Sequence, residues 1–550
     1  MHGVLGASLV PRTAKHSLRL WSAWLCLLAG VWFAPLVHSQ AASTSSQPQA
    51  ESSQPPAPSA PTAQRVLELS LEDAIRLALQ NNLDIERERY TPRIQHTEVG
   101  KARAAFDPSI GAEGTVGETH LLPETEFNNG MGEFVPLQRK IATGELTPFF
   151  KQKIVTGADY EIRFSNTYDD INPAQSGEVS RAIVNPRFES RLALTFTQPL
   201  LKDFGISVNK TTIFQTELAE SIAEQQLLQT ILDTVFAVQQ GYWNLVFRIQ
   251  DLTAKRESLK LAQDFLEENK LRVELGTLAP IDVVQAETSV KTREGDVIVA
   301  EAAVEEAADQ LKETLNIPAS MGTWDLRLRP TDSPSFEPIA ALSVEDQVTT
   351  ALTNRPDFIQ SQLDIASREL ARDFARNQKL PRLDLTGTFD VRGFGGDTIE
   401  GLDSLSDSKG YSWLVGLRFE YPLGNRFARN EFQRRDLELK QARVGQRRLK
   451  LTIVRQIRQA VRDIVTASKR VEVTRAATEL AKTQLEAEQE RFRLGLSTAF
   501  VVLSFQEDLT IARSNETRSL SDYNVALGRL DQLTGRLRYG DITTDVKAPR

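Results

Sequence analysis

Cysteine and histidine are almost missing from this 550-residue chain: Cys26 is its one cysteine, and the five histidines are His2, His16, His38, His96 and His120. So few soft ligands exclude a zinc, copper or thiolate centre, and no metal, cofactor or catalytic residue is expected. Long apolar runs are also missing. Past the N-terminus no stretch supplies the ~20 apolar residues of a spanning helix, and the mean hydropathy is −0.30 with 25% charged residues. A polytopic helical membrane protein is excluded; a spanning β-barrel is not, because alternation hides its lipid face from any average. There is no excess of positive charge either. A net charge of −8 and a pI near 5.5 argue against nucleic acid as a partner, since phosphates demand a basic surface. The chain carries no P-loop, no H-E-x-x-H and no G-x-S-x-G, so it reads as a non-enzyme whose carboxylates are solvated helix faces.

What is present begins with a leader. Arg12, Lys15 and Arg19 precede an apolar run from Leu20 to Val37, the pattern of a secretory signal peptide over residues 1–39, with cleavage expected after Ser39. Trp24 and Leu25 before Cys26 leave no lipoprotein signal. Removing 1–39 leaves 62 Lys and Arg against 73 Asp and Glu, a charge of −11, and no cysteine. Stability must then come from packing and assembly without disulfides. Residues 40–65 are Ser/Pro/Gln/Ala-rich and read as a disordered linker.

The rest is organised by an internal repeat. LSLEDAIRLALQNN (Leu69 to Asn82) matches LSVEDQVTTALTNR (Leu342 to Arg355) at an offset of 273, and the same offset carries Pro108 onto Pro381 and Gly114 onto Gly387. TQPLL at Thr197 matches EYPLG at Glu420 at an offset of 223, and LRVELGTLAPIDVVQAE at Leu271 matches ERFRLGLSTAFVVLSFQ at Glu490 at 219. The first copy therefore holds 50 extra residues. The expected domains are a first repeat over 66–316, a linker over 317–341, a second repeat over 342–536 and a tail over 537–550. Each repeat reads as a capped short helix, two strands, a very long helix, a glycine-containing turn and a long return helix.

In the second copy Leu383, Leu385, Phe389 and Val391 alternate with polar residues, as do Trp413, Val415, Leu417, Phe419 and Tyr421. Strands of 9 to 11 residues suffice to cross a bilayer, and Trp413 and Tyr421 stand where an aromatic girdle falls. Between Lys210 and Leu275 there is no proline and one glycine, Gly241; Leu228, Ile231, Val235, Val238, Tyr242, Leu245, Ile249, Leu252 and Leu259 recur in steps of three and four, with Arg256 the one polar occupant of the seam. That is a coiled-coil seam on a helix of about 100 Å. Four strands per chain are too few to close a barrel, so closure requires several copies.

LSLEDAIRLALQNNLDI, TQPLLKDFG, AVQQGYWNLVF and the paired turns ELGTLAPIDVVQAE and RLGLSTAFVVLSFQ resemble the TolC family of outer membrane efflux proteins over about residues 66 to 536. The resemblance implies a mainly α protein with transmembrane β structure: a homotrimer with a 12-stranded barrel, four strands per chain, in outer membrane lipid, continuing into a periplasmic helical tunnel. It also implies a periplasmic adaptor (membrane fusion) protein and, through it, an inner-membrane pump of RND or ABC type. On that pattern Leu275, Gly276, Thr277, Arg491, Phe492, Arg493, Leu494, Gly495, Ser497 and Thr498 form the adaptor-binding tips. The periplasmic gate falls on Asp282, Phe500, Val501 and Ser504. The family's usual basic partner for Asp282 is Ser497 here, so a gate of packed apolar residues is expected instead of an Asp–Arg lock.

Charge is uneven: residues 251–315 carry 15 acidic and 8 basic groups, and 426–472 carry 5 and 14. Either complementary coiled-coil flanks or a basic conduit lining accounts for this. The extra residues, about 121–184, hold Gly, Asn and Pro clusters and one strand-like stretch, IVTGADYEIRFSN (Ile154 to Asn166), and read as an extracellular loop or an additional hairpin. A soluble periplasmic coiled-coil scaffold, its strands packed as a sandwich, is the alternative to an exit duct.

Overall fold

The computed structural model describes residues 66–121, 126–128, 134–136, 139–172, 186–317, 324–338, 342–407 and 409–536. The signal peptide, the Ser/Pro-rich linker and the C-terminal tail expected from the sequence lie outside them. β1 (Val66–Leu69) leads into α1 (Leu71–Asn81) and α2 (Leu83–Arg103), followed by β2 (Ser109–Leu121), β3 (Glu126–Asn128), β4 (Phe134–Pro136), β5 (Arg139–Lys153), β6 (Asp159–Asn172) and β7 (Arg187–Pro199). Next come α3 (Ile206–Asn209), the long α4 (Thr211–Glu274), its return α5 (Pro280–Leu315) and β8 (Arg327–Pro330). The chain continues through α6 (Val344–Asn354), α7 (Pro356–Asn377), β9 (Arg382–Gly395), α8 (Thr398–Ser406), β10 (Gly410–Glu420), α9 (Arg426–Arg493) and α10 (Ala499–Thr534).

Local chemistry sets these boundaries. Ser70 and Ser343 cap α1 and α6, their hydroxyls accepting the N–H of Asp73 at 3.1 Å and of Asp346 at 3.2 Å. Pro108 and Pro381 stand immediately before β2 and β9, and Pro199 is the last residue of β7, where a missing donor does no harm to a ladder. The 64 residues of α4 and 68 of α9 extend for about 100 Å each. Ile231, Val235, Val238, Tyr242, Leu245 and Leu252 are buried as the heptad reading requires, against α1, α5 and the strand pair β1–β8. The seam departs from that reading at Leu228, which is 37% exposed, and at Arg256, which turns outward to Glu301 at 2.6 Å.

Tyr242 ties this core to the segment after β8. Its hydroxyl lies 3.0 Å from Leu69 O and 3.2 Å from Asp332 Oδ2, and accepts the Asp332 N–H at 3.1 Å. Burial first, and the Asp332 carboxylate second, push the phenol from its ordinary 10 up to about 12. The raised folded value means this contribution is complete below pH 10 and lost as the pH climbs toward 12. Tyr242→Phe leaves the part-buried Asp332 N–H without this partner, while Leu69 O keeps the Thr331 N–H at 3.1 Å and Asp332 Oδ2 the Leu71 N–H at 2.7 Å; the expected cost is about 0.5–1.5 kcal/mol, read as a lowered thermal midpoint at neutral pH.

The sheet differs from expectation. Instead of four strands the chain supplies six, hydrogen-bonded in the order β10-β9-β7-β6-β5-β2, every neighbouring pair antiparallel. The two additional strands come from the 50-residue excess, and they separate β2 from β7. The stretch read as strand-like from Ile154 begins with a turn at Ile154–Ala158, because Gly157 takes φ = 98° and its N–H closes on Ile154 O at 2.9 Å; the strand starts at Asp159. Residues 122–125, 129–133, 137–138 and 173–185 of the same insertion lie outside the described residues.

Candidate functional site

Register across the six strands sorts their side chains into two faces. Trp413 opposes Phe389, which opposes Leu194, which opposes Ile162, which opposes Phe150, which opposes Ile110. The next rung places Val415, Gly387, Phe196 and Tyr160 together, and Leu417 pairs with Leu385 and Phe419 with Leu383. The membrane-strand residues Leu385, Phe389, Trp413, Val415, Leu417 and Phe419 therefore share one apolar face, and Tyr421 follows β10 directly. Ile110 is 84% exposed, Trp413 69% and Leu194 43%. Among the described residues no long helix lies over this face, and α8 alone packs on it, at the far ends of β7 and β9, where Gly393, Gly395 and Gly401 allow close backbone approach.

The opposite face is laced with ion pairs. Arg191 on β7 reaches Asp390 on β9 at 2.9 Å, and Arg392 meets the other oxygen of the same carboxylate at 2.9 Å. Arg163 on β6 passes over the Phe149 ring of β5 to Glu113 on β2 at 3.2 Å. Charge thus sits on one face and aliphatic or aromatic surface on the other, with strand alternation as the cause. Among the described residues no helix is long and apolar enough to cross a membrane.

About 100 Å along the helices the two hairpins end in matching turns. Gly276 and Gly495 both take φ = 74°, the left-handed conformation that closes a helix without a Cβ clash. Gly276 N–H donates to Val273 O at 2.9 Å and Thr277 N–H to Arg272 O at 2.9 Å; Gly495 N–H donates to Phe492 O at 3.0 Å and Leu496 N–H to Arg491 O at 2.8 Å. Leu275 and Leu494 stand exposed beside the glycines, at 69% and 71%. Arg491 and Arg493 are exposed and pair with Glu488 at 3.1 Å and Glu490 at 2.8 Å. Thr498, the N-cap of α10, is exposed.

Two expected contact residues are placed otherwise. Phe492 is only 4% exposed, packed on Phe265 at 5.2 Å with the Arg272 guanidinium 4.8 Å from its ring centre. An aromatic at that depth supports its own turn and offers nothing to a partner. Ser497 donates a short hydrogen bond to the buried Glu488 carboxylate and so braces the turn from inside. Of the gate positions, Phe500 is 64% exposed, Ser504 is exposed, and Val501 and Asp282 are partly covered. Among the described residues Asp282 has no ion-pair partner, in keeping with Ser497 standing where a base would be. Sequence reading passed over Leu271, Ile281, Val284 and Leu496, each more than half exposed around the tips. Their apolar character off the heptad seam was the available signal.

It also passed over Arg293. This residue fills a seam slot of α5 between Val290 and Val297, is 7% exposed, and donates to Ser258 O at 2.9 Å, Gln506 Oε1 at 3.1 Å and Leu503 O at 3.2 Å. Burial pulls its pKa below the usual arginine value, while Glu507 and Asp296 oppose that shift. One guanidinium therefore fastens α5 to both α4 and α10 above the tips. Arg293→Ala is expected to cost about 2–4 kcal/mol through orphaned acceptors and a cavity. Arg293→Met should recover more than half, since it also removes a desolvated charge; thermal unfolding of the two variants checks the order.

With this geometry in hand, the comparisons add a family match over 189 of the 550 residues. Residues 348–536 match the family model for outer membrane efflux proteins. The resemblance to the outer membrane efflux proteins is borne out. The efflux-protein match runs from within α6 through β9, β10 and the Gly495 tip to the end of α10. Curated proteins give no match in sequence. Among solved structures the fold is similar to the Campylobacter jejuni CmeC outer membrane channel, at 16% identity and a TM-score of 0.60 over 87% of this chain and 89% of that one. It is also similar to the outer membrane protein VceC of Vibrio cholerae, at 15% identity and 0.58 over 85% and 96%, and to the Neisseria gonorrhoeae MtrE outer membrane channel in its open state, at 14% and 0.55 over 87% and 94%. The likeness in fold thus extends over 85–87% of the chain, well beyond the residues that the family model matches.

Proposed function

We propose that the chain is a passive exit duct of the outer membrane, non-enzymatic, working as a homotrimer with a periplasmic adaptor and, through it, an inner-membrane pump. One observation carries this: an apolar face spans six strands, open except where α8 packs at the far ends of β7 and β9, and is backed by a charged one. A soluble scaffold would have to bury that face against a second layer, and among the described residues no long helix packs on the sheet. Lipid on one side and water on the other fit both faces at once.

Assembly follows from what one chain leaves open. β2 and β10 are free sheet edges running in opposite directions, so identical copies join edge to edge with antiparallel pairing preserved. On α9, Leu437, Val444, Leu451 and Val465 are exposed at multiples of seven residues, a heptad stripe that awaits a neighbouring helix. The basic α9 and acidic α5 are not packed on each other within the chain, and each would meet its complement across copies; this favours coiled-coil flanks over a basic conduit lining. The chain then consists of two repeats, 66–316 and 342–536, whose tips dock the adaptor through Leu275, Thr277, Arg491, Arg493, Leu494 and Thr498. Phe500, Val501, Ser504 and Asp282 face the axis as the gate.

Planar bilayers test the duct. The purified protein is expected to add current in discrete steps, and Phe500→Ala to enlarge the step. Absence of steps at any protein concentration contradicts the duct, and an unchanged step removes Phe500 from the gate.

A further inference from the structure

The 50-residue excess has a use that a loop would not. We infer that the β5–β6 hairpin is a third membrane-crossing strand pair, so that three copies close a barrel of 18 strands and not 12. The inference rests on the outer-membrane reading above and concerns how much of the chain enters the bilayer.

Three observations place the hairpin in the wall. First, it is hydrogen-bonded on both sides: β5 to β2 over Ser109–Leu121 and β6 to β7 over Arg187–Pro199, with no direct β2–β7 ladder. Removing it from the sheet would leave two further edges open in lipid. Second, its side chains divide as those of the other strands do. Phe150, Tyr160, Ile162 and Phe164 share the apolar face with Leu192 and Leu194, whereas Glu161 and Arg163 lie with Glu113 on the charged face. A solvated extracellular flap has no reason to keep that division in register with its neighbours. Third, its aromatic residues stand level with those of the flanking β7: Tyr160 opposes Phe196 and Tyr168 opposes Phe188, each pair eight residues apart along its strand. Eight residues cover about 27 Å of strand, near 20 Å once tilted, against an apolar band of about 25 Å between the girdles of such barrels. Phe150 contacts Tyr160 at 5.9 Å at one end, and Tyr168 contacts Phe188 at 5.1 Å at the other.

The hairpin also traverses the full height of the wall. Its turn sits where β7 gives way to helix: Gly205 N–H donates to Thr156 O at 3.1 Å, Thr156 donates to Gln198 Oε1 at 3.1 Å, and a Cβ on Gly157 would lie 2.4 Å from Asp203 O. With 15 and 14 residues both strands exceed the 9 to 11 a crossing needs. Barrel diameter grows about linearly with strand number, so the outer section of the conduit widens about 1.5-fold over a four-strand chain, with Glu113, Glu161 and Arg163 in its lining.

Single cysteines test this in lipid vesicles, because the chain without residues 1–39 has none of its own. Ile162→Cys and Phe164→Cys, labelled with an environment-sensitive fluorophore during unfolding and refolding into vesicles, are expected to be quenched by spin-labelled lipid. Glu161→Cys and Ser165→Cys are expected to react with a membrane-impermeant maleimide and to escape the lipid quencher. Phe389→Cys and Trp413→Cys report the rest of the sheet. If those two are quenched and the 162 and 164 sites are not, the hairpin lies outside the bilayer and the inference fails alone. If none of the four is quenched, the membrane reading fails with it. Exclusion of neutral polymers from the outer mouth gives a second measure: a cut-off radius about 1.5-fold that of a four-strand relative supports 18 strands, and an equal one overturns them.

Discussion

Leu194→Arg is expected to remove the protein from the outer membrane, while Ala193→Arg, one residue earlier on the same strand, leaves it there. Leu194 lies on the apolar face opposite Phe389 and Ile162; Ala193 pairs with Asp390 and Arg163 on the charged face. An arginine facing lipid near mid-bilayer costs about 2–4 kcal/mol, and the penalty recurs in every copy of the barrel. At position 193 the new guanidinium enters water beside Asp390, where the cost is small. Immunoblots of outer membrane fractions, with unfolding midpoints in urea for the two variants in vesicles, measure the difference. Equal behaviour would mean that the two faces are not what divides lipid from water.

The second large effect is at the tips and separates support from contact. Phe492→Ala is expected to loosen the second hairpin by about 3–5 kcal/mol, the usual range for emptying a buried aromatic site. Phe265, Leu266 and Ala499 lose their common neighbour. Leu494→Asp, on a side chain 71% exposed, should leave the turn folded and abolish capture by the adaptor. Hydrogen exchange at the Gly495 turn rises in the first variant and stays unchanged in the second; adaptor cross-linking is lost in the second with the turn intact. A Phe492→Ala variant with native exchange would show that the aromatic cluster is dispensable.

Much of this architecture was legible because periodicity carries it. The Ser caps at 70 and 343 and the two glycine turns each follow from a local rule and stand where the pattern put them, as do the heptads of α4 except at Leu228 and Arg256. β6 was half legible. Its alternating Tyr160, Ile162 and Phe164 were visible, but Gly and Asn clusters around them suggested a loop, and only pairing with β5 and β7 makes a wall strand. Phe492 misled because a hydrophobic residue beside a turn has the same sequence signature whether it faces out or in; its depth depends on Phe265, 227 residues earlier. Arg293 was readable in principle, as a cation in a seam slot, yet its three acceptors on two other helices are a tertiary fact.

The most direct measurement is where the processed protein sits in a fractionated envelope. The duct account predicts recovery with outer membrane markers on a density gradient and retention after carbonate extraction, since an apolar face left open over most of six strands is stable only in lipid. Recovery as soluble periplasmic protein would contradict it and leave a coiled-coil scaffold as the better account of these helices.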